Sequence, residues 1–393
     1  MSQLDRDLEA LGPTRPLEDI PGVQSIAYGV VRPEPDPLGV PMIGATEVMD
    51  GDVIDTVPRR IAPHLADRHP RTQLTEGDLL VVLVGRVGET AVATQRHTGW
   101  NVARPVAVIR CTPQARAEGV DVWLRWWLKT PHIRRYVQAS STNSEHVTLP
   151  LQALKRLPVW LPPQGAERTR HLHTITLAQR RLALNAQIAR CATELADAHF
   201  TRACPDPAHA LATRPIGETG RVATGSVRCD AAEHLQEIAF AAAKEVLNSP
   251  TAHLQETAAQ TWVAPDAACP PGTLLVAPRP GEVRTVLSTT PVAPARGVLA
   301  ICTETETDRL WLLHALRAAS RDLMTTAQGE AARAMRRKAF SRFLVPWPSQ
   351  GVREDFARIA SPLHDVVRAV TAEQSELQDV VTDEMTRRSE RDR

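Results

Sequence analysis

The sequence predicts an α+β protein in which two globular domains of mixed strands and helices alternate with two long helices. Three observations predict it. Short aliphatic runs bounded by Gly, Pro, Asp or Asn fill residues 20–165. A 34-residue stretch, 167–200, places apolar residues at helical spacing with no Gly or Pro to interrupt it. The rest of the chain then repeats this order of elements, at an offset that drifts from 195 to 186 residues.

The strand-like runs of the first domain are "SIAYGVV", "VPMIGATEV", "GDVIDTV", "DLLVVLVG", "ETAVATQ" and "ARPVAVIRC". "VDVWLRWWLKTPHIRRYVQ", 120–138, reads as one helix, with Trp123, Trp126, Trp127 and Ile133 toward a core. "LPVWLPPQ", 157–164, reads as an extended segment stopped by proline. In the long helix that follows, Leu177, Leu184, Ile188 and Leu195 form an apolar stripe, with Leu172, Ile175 and Leu182 beside it. At about 50 Å such a helix needs a partner to cover that stripe.

The second half echoes the first. "GTLLVAP" (272–278) answers "GDLLVVL", "ARGVLAICT" (295–303) answers "ARPVAVIRCT", and "TDRLWLLHALRAASRDLM" (307–324) answers the tryptophan helix. "FLVPWPSQGVRE" (343–354) answers "LPVWLPPQGAER". A second long helix, about 354–390, carries Ile359, Leu363, Val366, Val370, Leu377 and Val380. Residues 200–270 show few clear strands, and "DAAEHLQEIAFAAAKEVLN", 230–248, reads more as helix. Residues 167–199 hold five Arg against three acids, and 353–393 hold seven Arg against ten acids, so opposite charge favours pairing of the two helices. The expected division is a domain at 1–165, a long helix at 166–200, a second domain at 201–353 and a second long helix at 354–393.

Composition excludes several function classes. Net charge is +1, so any nucleic-acid surface must be local. No apolar run is long enough to span a membrane, and "MSQLDRDLEALG" lacks the apolar core of a signal peptide, so a cytoplasmic protein is expected. The six cysteines are scattered with no CxxC pair, which argues against zinc and against a disulfide framework. Only four lysines occur; none follows a glycine and none sits two residues after an acid, which removes a Walker-A loop and the acid-x-Lys of many nucleases. No GxGxxG, Gly-x-Ser-x-Gly or Asn/Asp-Pro-Pro-aromatic motif is present. His171 and His173, two apart on a helix, face apart and make poor joint ligands. Asp50, Asp52 and Asp55 lack calcium-loop spacing and read as solvated turn acids, and His64 and His69 as loop residues. The chain is expected to be non-catalytic, with no metal of its own.

Binding candidates remain. "LVGRVGET" is followed by a strand-like run, with no helix N-terminus or lysine to hold phosphate, so Gly85 and Gly88 are expected to shape a turn with Arg86 at its exposed tip. Residues 121–156 hold six Arg/Lys against two acids, and 309–342 hold eight (Arg309, Arg317, Arg321, Arg333, Arg336, Arg337, Lys338, Arg342) against two. Arg134, Arg135, Lys155 and Arg156 are phosphate candidates in the first half, with Arg336, Arg337 and Lys338 in the second. Arg86, Gln95, Arg96, Asn101, Thr142 and Asn143 are candidates for base edges, because Arg pairs with guanine and Asn or Gln with adenine. "ASSTNSEH", 139–146, reads equally as a groove loop or an ordinary turn.

The order domain, helix, domain, helix resembles the DNA-specificity subunit of type I restriction-modification systems. In the first half, "YGVVRPEPDPLGVPMIGATEVMDGDV" resembles that family's opening Gly-Val-Pro-x-Ile strand. "EGDLLVVLVGRVGETAVA" resembles its Gly-Asp-Ile-Leu strand and Gly-x-x-Gly turn, and "LPLQALKRLPVWLPPQGAERTRHLHTI" its Leu-Pro-x-Pro-Pro exit into a long helix. The second half lacks Gly-Val-Pro-x-Ile and has Pro278-Arg279-Pro280-Gly281 in place of the turn. The resemblance implies two target-recognition domains that read a bipartite double-stranded DNA target, and an antiparallel coiled coil of the long helices. It implies docking of adenine DNA methyltransferase subunits, and of a restriction/translocase subunit where one exists, in phage defence. S-adenosylmethionine would belong to the methyltransferase partner, and ATP and Mg to the translocase. The alternative is a non-catalytic scaffold of a phage-defence complex whose diverged second domain binds protein rather than DNA.

Overall fold

The computed structural model describes residues 13–31, 33–49, 51–53, 59–143, 147–204, 212–225, 236–249, 251–254, 260–263, 268–279, 282–327 and 337–386. They form two compact units, one of residues 1–179 and 378–393, the other of 180–377, and each takes in part of both long helices.

In the first unit the strands are β1 (Arg15–Pro16), β2 (Val23–Tyr28), β3 (Pro35–Ile43), β4 (Val48–Met49), β5 (Asp52–Val53), β6 (Arg59–Ile61), β7 (Leu79–Val82), β8 (Thr90–Val92), β9 (Asn101–Val102), β10 (Val106–Cys111), β11 (Thr142–Asn143), β12 (Val147–Thr148) and β13 (Pro158–Val159). Its helices are α1 (Pro63–Asp67), α2 (Pro113–Ala117), α3 (Val120–Trp127), α4 (Pro131–Ser140), α5 (Leu151–Lys155) and the start of α6 (Ala166–Ala203). A four-stranded antiparallel sheet runs β2-β10-β7-β8, and a three-stranded one runs β6-β3-β9 with β3 and β9 parallel. Leu80, Val82, Val106 and Val108, all nearly inaccessible, join the sheets' core.

The second unit repeats this plan. Its strands are β14 (Thr213–Pro215), β15 (Arg221–Thr224), β16 (Gln236–Ala241), β17 (Gln260–Val263), β18 (Leu274–Arg279), β19 (Glu282–Leu287), β20 (Val292–Pro294), β21 (Leu299–Cys302) and β22 (Leu344–Pro346). Its helices are α7 (Ala243–Asn248), α8 (Glu306–Ala318), α9 (Ser320–Ala327), α10 (Arg337–Arg342) and most of α11 (Gln350–Thr386). The sheets run β15-β21-β18-β19 and β17-β16-β20, again with one parallel pair, β16 with β20. The repeat read from short sequence echoes is therefore a repeat of strand order. The same anchor recurs too: Trp127 Nε1 donates to the Pro158 carbonyl at 2.9 Å, and Trp311 Nε1 to that of Pro346 at 2.7 Å. Each indole stays buried with its one polar atom satisfied by the exit strand.

Three expectations need correction. Residues 120–138 are two helices, because Pro131 has no N–H and disfavours helical backbone at Thr130, which is extended at ψ 149°. Trp123, Trp127 and Ile133 are buried, whereas Trp126 is half-buried under Lys129. Residues 236–241 of the presumed helix are strand β16, paired with β17 and β20, and only α7 is helical; 230–235 lie outside the described residues.

The third correction concerns the long helices. They do pair antiparallel, with a heptad seam. In the second unit Ala189 and Ala192 of α6 pack on Val367 of α11, with Leu363 and Val370 against the cluster. Phe200 meets Phe356 nearer the other end of that seam, at 5.7 Å between ring centroids. Arg181 forks onto Glu373 at 2.8 and 3.1 Å, and buried Asn185 donates to the same carboxylate at 2.8 Å. In the first unit His171 meets Glu384 at 2.8 Å. The seam of α6 is thus mostly small: Ala178, Asn185, Ala189, Ala192 and Ala196 are buried. The expected leucine stripe faces outward. Leu184 is 53% exposed, and Leu177, Ile188 and Leu195 are similarly open, as are Ile359, Val366 and Val380 of α11.

Candidate nucleic-acid interface

The turn Gly85-Arg86-Val87-Gly88 joins β7 to β8. Both glycines take positive φ, 86° and 88°, which lets the chain reverse within a few residues while Gly88 N–H donates to the Val82 carbonyl. The turn packs on the hairpin β11–β12: Gly85 N–H donates to the Val147 carbonyl at 3.0 Å, and Leu149 N–H to that of Leu83 at 2.8 Å. The tertiary structure thereby brings together Gly85 and the Thr142–Asn143 strand, which lie far apart in sequence. Residues 144–146 of the polar loop lie outside the described residues.

Arg86 does not project as a free tip. Its Nη2 lies 3.0, 3.3 and 3.0 Å from the carbonyls of Ala45, Thr46 and Val48 and donates to them. Two further arginines act on β5 and the residue before it. Arg96 Nη2 donates to the Val53 carbonyl at 3.3 Å, and Arg125 Nη2 to that of Gly51 at 3.2 Å. The carbonyls of Ala45, Thr46, Val48, Gly51 and Val53, on β4, β5 and the turns beside them, are thus braced by three guanidinium groups, whose fixed fork of donors suits this role. Arg125 was missed in the sequence because its target lies 74 residues away. Burial pulls its guanidinium below the ordinary arginine value, against the opposing charge of Asp52. Thr46 stays exposed on the braced turn before β4, and Glu47 accepts the Gly44 N–H at 2.7 Å.

The other first-unit candidates divide by exposure. Asn101 is fully buried; its Oδ1 accepts from Thr72 at 2.7 Å and from the Val102 N–H at 2.9 Å. It holds β9 in place and cannot reach a base edge. Gln95 is exposed on the short turn Gln95–His97, and Arg96, also exposed, donates from Nε to His97 Nε2 at 3.0 Å. Thr142 is exposed, and Asn143 lies beside it on β11. Arg134 and Arg135 are exposed on α4, and Arg156 on the cap of α5. Lys155 is half-buried and pairs with Glu18 at 3.3 Å.

In the second unit Arg337 and Lys338 are exposed on α10, while Arg336 and Arg333 lie outside the described residues. Two members of the basic stretch are structural. Arg317 forks onto Asp197 at 3.1 and 2.7 Å. Arg309 fills the space beside Gly272, where a Cβ would lie 2.0 Å from its Nη1; Arg116 occupies the equivalent space at Gly77. Among the described residues no group of three or more His, Cys, Asp or Glu could hold a metal ion, and no helix is long and apolar enough to cross a membrane. Asp50 and Asp55 lie outside the described residues.

No family model matches the chain. The type I restriction enzyme EcoBI specificity subunit of Escherichia coli is 30% identical over 138 residues, covering 35% of this chain and 28% of that protein. The chain thus matches little more than a quarter of that relative's length. Three solved structures align along most of the chain. The type I restriction-modification S subunit from M. genitalium does so at TM-score 0.48 and 14% identity, over 96% of both chains. A chain from a study of complex assembly and conformational transition of the type I R-M system gives 0.35 and 16%, over 93% of this chain and 97% of that one. The HsdS subunit from Thermoanaerobacter tengcongensis gives 0.33 and 16%, over 97% and 94%. The partial match to the curated relative bears out the resemblance read from the motifs: this chain is similar to the specificity subunits of type I restriction enzymes.

Proposed function

We propose that the chain is the non-catalytic, sequence-specific DNA-binding subunit of a type I-like adenine methyltransferase or restriction complex. The observation that carries this reading is the duplication. Two units share one strand order, and each places exposed cations on short helices, Arg134 and Arg135 on α4 and Arg337 and Lys338 on α10. Two similar units suit a target read in two parts. Cations on α4 and α10 supply phosphate contacts, which position without specifying. Base discrimination falls to the braced turn before β4, the Gln95 turn and the β11–β12 pair, where Thr46, Gln95, Arg96 and Thr142 are exposed. Rigid bracing by Arg86, Arg96 and Arg125 lowers the ordering cost of such a segment on binding.

The outward stripe of the helix pair supplies the partner surface. Leu184, Ile188 and Leu195 of α6, and Ile359 and Val366 of α11, stay open while the seam between the helices is already closed. Apolar helices of a methyltransferase subunit fit it. S-adenosylmethionine would serve in that subunit, and ATP with Mg in a translocase, so methyl transfer and cleavage are the partners' chemistry. The retained strand order of the second unit favours DNA reading over the alternative of a protein-binding scaffold.

The test is to purify the chain with its methyltransferase partner and map methylated adenines in genomic DNA. A two-part motif, absent when this chain is deleted, is expected. Absence of any motif, with DNA binding that does not respond to salt, would overturn the reading.

A further inference from the structure

The second unit contains a thiol pair that DNA reading does not use. Cys302 ends β21 and is half-buried; Cys269, 1% exposed, bridges Val292 of β20. Cys302 packs against the buried apolar cluster that contains Cys269, and the two thiols act on each other's ionisation. Arg221, the cross-strand neighbour of Cys302 on β15, is exposed and brings Nη2 to 3.7 Å from its sulfur. Thr273 Oγ1 lies 3.4 Å from that sulfur and 2.7 Å from the Pro270 carbonyl. Its single proton serves the carbonyl while Cys302 is a thiol, and can turn to the sulfur once Cys302 ionises. Donors therefore converge on Cys302 while Cys269 keeps its proton. The Cys269 thiol, opposed by burial and aided by Thr273 and Arg221, lowers Cys302 below the ordinary thiol value; Cys302, with burial, raises Cys269. An electropositive, partly open cysteine beside a second thiol is the arrangement of a reactive and a resolving cysteine.

We propose that Cys302 and Cys269 form a peroxide-responsive dithiol, in which Cys302 reacts with a hydroperoxide and Cys269 resolves the product as an intramolecular disulfide. The Cys302 thiolate attacks one peroxide oxygen; an S–O bond forms, the O–O bond breaks, and hydroxide leaves and takes up a proton. The Cys269 sulfur, giving its proton to the second departing hydroxide, attacks the Cys302 sulfur; the S–S bond forms and the S–O bond breaks. Two thiols lose two electrons in all, and hydrogen peroxide is reduced to two waters. A dithiol reductant reverses the bond by exchange. The disulfide would tie the segment that bridges β20 to the end of β21, locking the contact between the unit's two sheets.

The test uses the full chain, reduced and treated with hydrogen peroxide. An intact mass lower by about 2 Da, with a proteolytic peptide linking 269 to 302, is expected from loss of two thiol hydrogens. C302S should abolish the link. C269S should leave a Cys302 sulfenic acid that dimedone traps. Iodoacetamide labelling of Cys302 should level off at a lower pH than that of an ordinary thiol such as N-acetylcysteine, which gains about tenfold per pH unit toward about 8.5. Arg221→Ala, at an exposed side chain, should slow the link several-fold if the cysteine variants fold poorly. Oxidation confined to exposed Cys191, or Cys302 labelling that follows the same pH profile as N-acetylcysteine, would overturn the proposal.

Discussion

The Nε2 atoms of His314 and His364 lie 2.9 Å apart, with both rings buried. The contact belongs to a chain that runs from Arg317 and Asp197 through His314 and His364 to His253, with His364 Nδ1 3.0 Å from His253 Nε2. The Asp197 carboxylate, 2.6 Å from His314 Nδ1, must accept a proton there. That places every other proton. His364 donates from Nε2 to His314, and His253 donates from Nε2 to His364 Nδ1. His253 Nδ1 is left as a buried acceptor without a partner.

This chain predicts acid sensitivity in the second unit. Burial lowers all three histidines, His253 to about 4 and His364 to about 2; His314 and nearby Arg368 and Arg317 add to the effect, and Asp365 and Asp197 oppose it. Burial would raise the Asp197 carboxyl, but hydrogen bonds from His314 and Arg317 hold it well below the usual range. The unfolded chain therefore takes up protons that the folded one refuses. The stability is present above about pH 6.5 and falls by roughly 1.4 kcal/mol per pH unit for each histidine that stays neutral, down to about pH 4. Urea midpoints at pH 7.5 and 5.0 should differ clearly, and less so in His364→Gln. Equal midpoints at the two pH values would refute the assignment of neutral rings.

Arg86→Ala should act first on stability. Its Nη2 holds two protons shared among three carbonyls, so the loss is on the order of 2 kcal/mol by denaturant titration. Altered target choice would follow from a loosened turn before β4. A variant with wild-type stability but changed target choice would show instead that Arg86 touches DNA itself.

Leu184→Glu with Ile188→Glu should leave the chain folded, because both positions are open, while the methyltransferase subunit no longer co-purifies. Ala189→Leu should do the reverse kind of damage, forcing a larger side chain into a closed seam and costing about 1–3 kcal/mol. Retained partner binding in the double variant would remove the stripe from the interface.

Arg134→Ala and Arg135→Ala should weaken binding across all sequences. The salt slope should fall by about one unit for each phosphate that is no longer neutralised. Arg317→Ala, which strips Asp197 of its forked partner, should destabilise the unit and leave the slope unchanged. A slope that does not move in the first pair would place the phosphate surface elsewhere.

Much of the fold was legible because it follows from local pattern. Aliphatic runs between glycines and prolines mark β7, β10, β18 and β21, and their matched order reveals the duplication. Strand β16 was not legible, since "QEIAFA" owes its extended form to β17 and β20 on either side. The site was less legible. Exposure separates Arg134, which is open, from Asn101, which is sealed, and neither residue's neighbours in sequence show that difference.

By itself the sequence determined the repeat, the two long helices and the burial of Trp123 and Trp127, because apolar periodicity and turn residues act over a few positions. Only the tertiary structure decided which edge of the apolar arc on α6 closes against α11. Periodicity marks an arc of residues but not the partner's distance, and alanines admit the close approach that leucines would block. Tertiary structure also decided which arginines are committed. A guanidinium is spent or free according to carbonyls and carboxylates that the fold delivers from far along the chain, as it does to Arg86, Arg125 and Arg317.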